Sequence, residues 1–141
     1  MNKKNKGFTL QELLVVVVII AIFAALGLPQ LVKTKEHALS KEATANLKLI
    51  AAAEKIYRME AEDGNYYPSP SGTSSTISDI NSYLRLFIPS SSSRNWDYSV
   101  TAASGAFTTT ATRTTQASGS YSGCTWTITN NDDVPTTSSC P

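Results

Sequence analysis

The 141-residue sequence has little of what most catalytic and metal-binding sites need. It contains one histidine, His37, so a pair or cluster of histidines cannot form within one chain. It contains two cysteines, whereas a zinc site usually takes about four protein ligands. No phosphate-binding loop and no nucleophile with a neighbouring base is recognisable. These absences argue against an enzyme.

Charged residues are also few, at 16% of the chain, and they are unevenly distributed. Three of the 12 basic residues, Lys3, Lys4 and Lys6, lie in the first seven positions, which leaves nine basic against 11 acidic residues elsewhere. The rest of the chain is therefore near neutral, which argues against electrostatic binding of nucleic acid. Lysines before an apolar segment hold an N-terminus in the cytoplasm and direct the following residues across the membrane.

An unbroken apolar run extends from Leu13 to Leu28, and a glutamate, Glu12, stands at its head. An ionisable group inside a bilayer costs about 2.5 to 3.5 kcal/mol even on the mildest insertion scale. Glu12 is therefore expected to have a function. An export signal or a plain membrane anchor would explain the apolar run, but neither gives Glu12 a purpose.

After the apolar run the sequence predicts an amphipathic helix over residues 29–63. Apolar residues recur there at steps of three or four, the period of one helix face. Gly64 and Pro68 supply the expected signals for the end of a helix. The residues of the apolar face are Leu39, Ala43, Leu47, Ile50, Ala53 and Tyr57.

The C-terminal part predicts an antiparallel sheet over about residues 96–129. Three segments rich in aromatic and β-branched residues, Trp96 to Thr101, Ala106 to Arg113 and Cys124 to Thr129, are separated by turn sequences. Residues 68–95 are expected to be loop around a short apolar stretch, YLRLFI. The face expected to cover the helix consists of Tyr98, Val100, Phe107, Trp126 and Ile128. The fold class is α+β, with a long helical spine packed on a small antiparallel sheet.

Cys124 and Cys140 are 16 residues apart in a segment rich in serine and threonine. In an exported segment without a nearby histidine, this arrangement favours a disulfide over metal binding. Asp132 and Asp133 are weak candidates for calcium, because clustered oxygen ligands suit that ion. A plain turn beside the strand end is the simpler explanation, and no cofactor is otherwise expected.

The stretch KGFTLQELLVVVVIIAIFAALGLP, residues 6–29, resembles the N-terminus of type IV pilins and type II secretion pseudopilins. The resemblance lies in Gly7 followed by Phe8, in Glu12 fifth from Phe8, in the apolar run and in Pro29. Gln11 departs from it, since the family usually has an apolar residue there. The resemblance implies that a prepilin peptidase cuts between Gly7 and Phe8 and methylates the new amine of Phe8.

The resemblance also implies the organisation of the chain. Residues 1–7 would be a leader peptide, residues 8–28 a segment for the membrane and the filament core, and residues 29–141 the head. We hypothesise that the Glu12 carboxylate of one subunit pairs with the Phe8 amine of the next and so sets the register of assembly. Pro29 is expected to let the helix unwind locally.

Implied partners are further copies of the chain, the prepilin peptidase, and an inner-membrane assembly platform with its ATPase. The protein would cross the inner membrane once, with its N-terminus in the cytoplasm and its head in the periplasm, and then join an extracellular or periplasmic filament. A pilus subunit for adhesion, motility or DNA uptake and a secretion pseudopilin both fit. A membrane-anchored binding module that never polymerises is the alternative of a different class.

Overall fold

The computed structural model describes residues 7–69, 71–103, 105–114, 121–138 and 140, without the side chains of residues 27–29. The chain divides into two compact units, Met1–Lys35 and Glu36–Pro141, which are described in turn. The elements are α1 (Leu10–Glu60), β1 (Gly72–Ser74), α2 (Ile77–Leu84), β2 (Trp96–Ala103), β3 (Ala106–Arg113), β4 (Thr125–Thr129) and β5 (Thr136–Ser138). The prediction of a long N-terminal helix followed by a small antiparallel sheet is confirmed.

The first unit contains the beginning of α1. Every described side chain from Leu10 to Leu26 is exposed. An 18-residue window of α1 has a mean hydropathy of 2.7, and none of that window is buried. Among the described residues, α1 is the one helix long and apolar enough to cross a membrane.

In the second unit, the head, the rest of α1 packs against the sheet. The inner face of the helix is buried at Ala43, Leu47, Ile50 and Ala53, as its spacing predicts. The sheet contributes the other side of the core, and of the expected residues only Trp126 is half-buried rather than buried. The apolar core side chains from the sheet are Trp96, Tyr98, Val100, Ala102, Phe107, Ala111 and Ile128.

The sheet is an antiparallel meander in which the five strands lie in sequence order. Its register places Val100 opposite Thr109 and Thr109 opposite Ile128, so these three residues share the inner face. Successive residues of a strand point to opposite faces, so the other set of residues lies on the outer face. That outer face is rich in threonine, with Thr73 beside Thr101 and Thr110 beside Thr127.

The structure differs from the sequence prediction in the segment 68–95, which is not simply loop. It contains β1 and α2, and α2 buries Ile77, Ile80 and Leu84, a helical spacing that the surrounding serines obscure. The sheet gains β1 and β5 as short edge strands and therefore has five strands instead of three.

The end of α1 also differs from the prediction, since the helix stops at Glu60 and not at residue 63. The Ala61 N–H still bonds the Tyr57 carbonyl, and the Gly64 N–H bonds the Ala61 carbonyl in a tighter turn. Gly64 adopts a φ of 64°, the left-handed conformation that favours glycine after a helix. The stop signal was therefore in the right place, but the last turn is not regular helix.

Candidate functional site

The predicted cleavage site lies just before the first helical residue. Gly7, Phe8 and Thr9 precede α1, and the Phe8 side chain is 89% exposed. A bond in non-helical backbone beside exposed side chains is accessible to a peptidase. Residues 1–6, the rest of the predicted leader, lie outside the described part of the chain.

Thr9 and Glu12 form a capping box at the start of α1. The Glu12 carboxylate accepts hydrogen bonds from the Thr9 N–H and from the Thr9 hydroxyl, both at 2.8 Å. In return, the Glu12 N–H donates to Thr9 Oγ1 at 3.2 Å. Such reciprocal bonds satisfy N–H groups that have no partner inside the helix. Sequence reasoning missed this role, although the pattern threonine, two residues, glutamate is its known signature.

The capping box gives Glu12 a purpose within one chain, which the interpretation as a register device did not consider. The carboxylate remains exposed in the structure and keeps lone pairs for a further donor. The two roles are therefore compatible. Pro29, the other predicted assembly residue, lies inside α1, and the helix runs through it.

The head carries a buried ion pair that the sequence did not reveal. Arg113 at the end of β3 donates from Nε and Nη2 to the two carboxylate oxygens of Glu36, each at 3.1 Å. Its Nη1 donates to the Asn95 carbonyl at 2.6 Å, and the guanidinium lies over the Trp96 ring, 5.5 Å from the centroid. A bidentate geometry with further partners is what a buried pair requires to offset its lost hydration.

A second buried carboxylate, Glu54, faces the core from α1 and is fully buried. One of its oxygens accepts a hydrogen bond from the Tyr67 N–H at 2.9 Å. The other oxygen has no hydrogen-bond partner among the described residues. Burial raises the Glu54 pKa to about 7, and the Tyr67 hydrogen bond partly opposes this shift. A carboxyl group in this setting is close to half protonated near neutral pH.

Cys124 and Cys140 form a disulfide, as the sequence predicts. The loop that they close contains Asp132, whose carboxylate accepts hydrogen bonds from the Thr129 N–H at 3.0 Å and the Thr129 hydroxyl at 2.7 Å. Asp132 thus supports the turn after β4, while Asp133 is exposed. Within the described part of the chain, no group of three or more His, Cys, Asp or Glu side chains is placed to hold a metal ion.

The apolar first part of α1 is headed by a capped glutamate and preceded by Gly7 and Phe8. Residues 2–28 match the family described as the prokaryotic N-terminal methylation motif. The chain carries this motif and is homologous to type IV pilin and to a core protein of type II secretion.

Three relatives illustrate the similarity. The type IV major pilin protein PilA of Myxococcus xanthus is 41% identical over 61 residues, which is 43% of this chain and 28% of that protein. The type II secretion system core protein G of Pseudomonas aeruginosa is 42% identical over 68 residues, covering 48% of this chain and 46% of the relative. The core protein G of Escherichia coli is 36% identical over 66 residues, covering 47% and 43%.

The match thus covers less than half of each of these relatives. No solved structure matches this chain. The similarity therefore describes only part of the chain.

Proposed function

We propose that this chain is a structural subunit of a type IV pilus-like filament. The observation that supports the proposal is the N-terminal motif, in which Gly7 and Phe8 precede an exposed apolar helix headed by Glu12. A fully exposed apolar helix needs either lipid or copies of itself around it, because contact between apolar surface and water is unfavourable. Lipid surrounds the helix in the membrane before assembly, and copies of the helix surround it in the filament core afterwards.

In this proposal, cleavage creates a cationic amine at Phe8, which is methylated. The Glu12 carboxylate of one subunit then pairs with the Phe8 amine of its neighbour. Two opposite charges about 4 Å apart attract by about 4 kcal/mol at an effective dielectric constant of 20, whereas either charge alone in lipid is penalised. Docking into the filament is thereby favoured over dispersal in the membrane.

The partners that follow are a prepilin peptidase, an inner-membrane assembly platform with its ATPase, and other copies of the chain. The lysines before α1 place the N-terminus in the cytoplasm and the head in the periplasm. Residues 1–7 are then the leader, residues 8–28 the membrane segment, and residues 29–141 the head. The protein acts as a structural component and has no catalytic role.

A pseudopilin of a type II secretion system is the second candidate. The similarity to core protein G of Pseudomonas aeruginosa and Escherichia coli favours it. The disulfide-closed segment at the C-terminus favours the pilus subunit instead.

Mass spectrometry of assembled protein tests the proposal. We expect an N-terminus at Phe8 that carries one methyl group. An intact Met1, or a start after the apolar run, would contradict it. Electron microscopy of material sheared from cells should show long filaments that contain this chain, whereas a pseudopilus would remain short and periplasmic.

A further inference from the structure

The turn after α2 presents one phenylalanine to solvent in a fixed conformation. The Phe87 side chain is 99% exposed, while its neighbours Leu86 and Ile88 are half-buried and buried. Single exposed apolar residues are common on protein surfaces, so exposure alone indicates little. What distinguishes Phe87 is how firmly its backbone is held.

Three features hold this turn. Arg85 has φ 54° and ψ 45°, a left-handed conformation that is uncommon for a residue other than glycine. The Asn81 side chain then binds both backbone groups of Ile88, accepting from its N–H at 2.9 Å and donating to its carbonyl at 2.8 Å. The Leu86 N–H bonds the Asn81 carbonyl at 2.9 Å. Phe87 is thus a preorganised projection and loses little freedom on binding.

The same unit has an apolar groove between α1 and α2. Its volume is about 270 Å³. An apolar cavity of about 150 Å³ is enough to bind benzene, so one aromatic side chain fits. The rim carries Glu60 and Arg85, which pair with each other at 3.2 Å and leave no net charge there. The walls are formed by Leu49, Ala52, Ile56, Tyr83, Leu84 and Leu86.

Phe87 does not line this groove, although the preceding residue does. A projection that enters the groove of another copy makes a heterologous contact, which builds an open chain of subunits when the rotation between copies does not close into a ring. We propose that Phe87 of one subunit inserts into the α1–α2 groove of a neighbouring copy, an inference that rests on the proposed filament function. The groove is neutral and apolar, and the chain itself presents an apolar anchor of matching size.

Cysteine pairing between two co-expressed chains tests this contact directly. One chain carries Phe87→Cys and the other Ile56→Cys, so a disulfide between them must join different copies. The native cysteines are already paired with each other. Sheared filaments should give the mixed dimer on mild oxidation. Replacing Ile56→Cys with Val134→Cys, at another exposed apolar residue outside the groove, should give far less dimer.

Filament yield provides the second measurement. Phe87→Ser should reduce sheared filament by at least about tenfold, because aromatic anchors in central pockets dominate interface energies. It should leave the unfolding midpoint of the subunit unchanged, since Phe87 contacts little within its own chain. Val134→Ser is the matched control and should assemble normally.

The outcomes separate the contact from the function on which it rests. Filaments that form normally with Phe87→Ser and give no mixed dimer would overturn the contact and leave the filament function intact. A Phe87→Cys chain that crosslinks only to a different protein would also overturn it. Wild-type chain that never forms filaments would overturn both the function and the contact.

Discussion

The two parts of α1 have the same secondary structure and opposite surroundings. From Leu10 to Leu26 every described side chain is exposed, and from Leu13 onward this part of the helix is apolar on all sides. From Glu36 onward the inner face is buried under the sheet, and polar residues such as Asn46 and Glu54 make specific hydrogen bonds. The apolar side chains of the first part are exposed, whereas those on the inner face of the second part pack against the sheet of the same chain.

This difference indicates where the protein uses its own fold and where it depends on other molecules. Burial of apolar surface supplies most of the stability of a helix in a protein. The head supplies that burial internally. Among the described residues, the first part of α1 has its capping box and its backbone hydrogen bonds. In the proposed function, lipid or other copies cover its apolar surface.

Changes at Glu12 should have the largest effect, because they act on the part of α1 that depends on partners. Glu12→Ala should abolish or strongly reduce filaments, since the neighbouring Phe8 amine would be left unpaired in the core. Membrane insertion should persist, because removal of a charge from an apolar segment can only make insertion easier. Filament yield by electron microscopy and membrane fractionation check these two outcomes.

Two controls separate the charge of Glu12 from its role as a cap. Glu12→Gln keeps an acceptor for Thr9, since glutamine also serves in a capping box, but it loses the charge. Thr9→Val loses the cap and keeps the charge. If the charge matters, the glutamine variant fails and the valine variant assembles. The reverse result would show that Glu12 acts as a helix cap and not as an assembly determinant.

Arg113→Ala tests the part of α1 that is satisfied within the head. It should destabilise the head by about 3 to 5 kcal/mol, because Glu36 would become an unpaired buried charge. Urea unfolding of the full chain in detergent, followed by tryptophan fluorescence, measures this effect. The double variant Glu36→Leu with Arg113→Met removes both charges and should recover most of the loss. A small effect of Arg113→Ala would mean that water reaches Glu36.

Cys124→Ser should lower the stability of the head by about 3 kcal/mol, since the disulfide restricts a loop of 16 residues in the unfolded chain. Cys124 is buried beside the core, so Cys124→Ala is the control for placing a hydroxyl there. The same unfolding measurement applies to both variants. Equal stability of oxidised and reduced wild-type protein would contradict the prediction.

Glu54 should make the stability of the head depend on pH. Because burial raises its pKa to about 7 in the folded state, above the ordinary carboxyl value of 4.5, folding favours the protonated form. The stability that Glu54 contributes is therefore fully present below about pH 4.5 and is lost as the pH rises through about 7. Glu54 lies in the second unit, Glu36–Pro141.

Glu54→Gln should remove this pH dependence while keeping an acceptor for the Tyr67 N–H. The glutamine variant should be more stable than wild type at pH 8 and similar to it at pH 5. Urea midpoints at several pH values measure the difference between the two proteins. Parallel curves for both proteins would show that Glu54 does not titrate in this range.

Thr109→Val should change the stability of the head least. It should stabilise the head, whereas Arg113→Ala and Cys124→Ser should destabilise it. The Thr109 hydroxyl is buried on the inner sheet face and has no hydrogen-bond partner among the described residues. Removal of an unsatisfied hydroxyl should stabilise the head by about 1 kcal/mol. Thr108→Val, on the exposed face of the same strand, is the matched control and should change stability little.

The helices and strands whose apolar residues recur at regular intervals were predictable from the sequence. The spacing from Ala43 to Ala53 marks one helix face, and the alternation in β2 and β3 marks two strands, because burial on one side imposes these periods. The helix α2 was missed because eight residues carry only three buried positions. β1 and β5 were missed because three residues are too few to show an alternation.

The candidate site was predictable in its local parts and not in its distant ones. Gly7, Phe8 and Glu12 are close in sequence, so the motif is visible without a structure. The pairing of Arg113 with Glu36 joins residues 77 positions apart, and no local pattern predicts it. The exposure of Phe87 also depends on the Asn81 contacts, which sequence spacing does not show.

The threonine-rich outer face of the sheet should make this part of the surface of the head insensitive to pH and to salt. Thr73 meets Thr101 at 3.0 Å and Thr127 meets Thr136 at 3.2 Å between their hydroxyl oxygens. Hydroxyl groups carry no charge at any pH that a cell encounters, and dissolved ions screen only charges. This face should therefore keep the same hydration in fresh and in saline water.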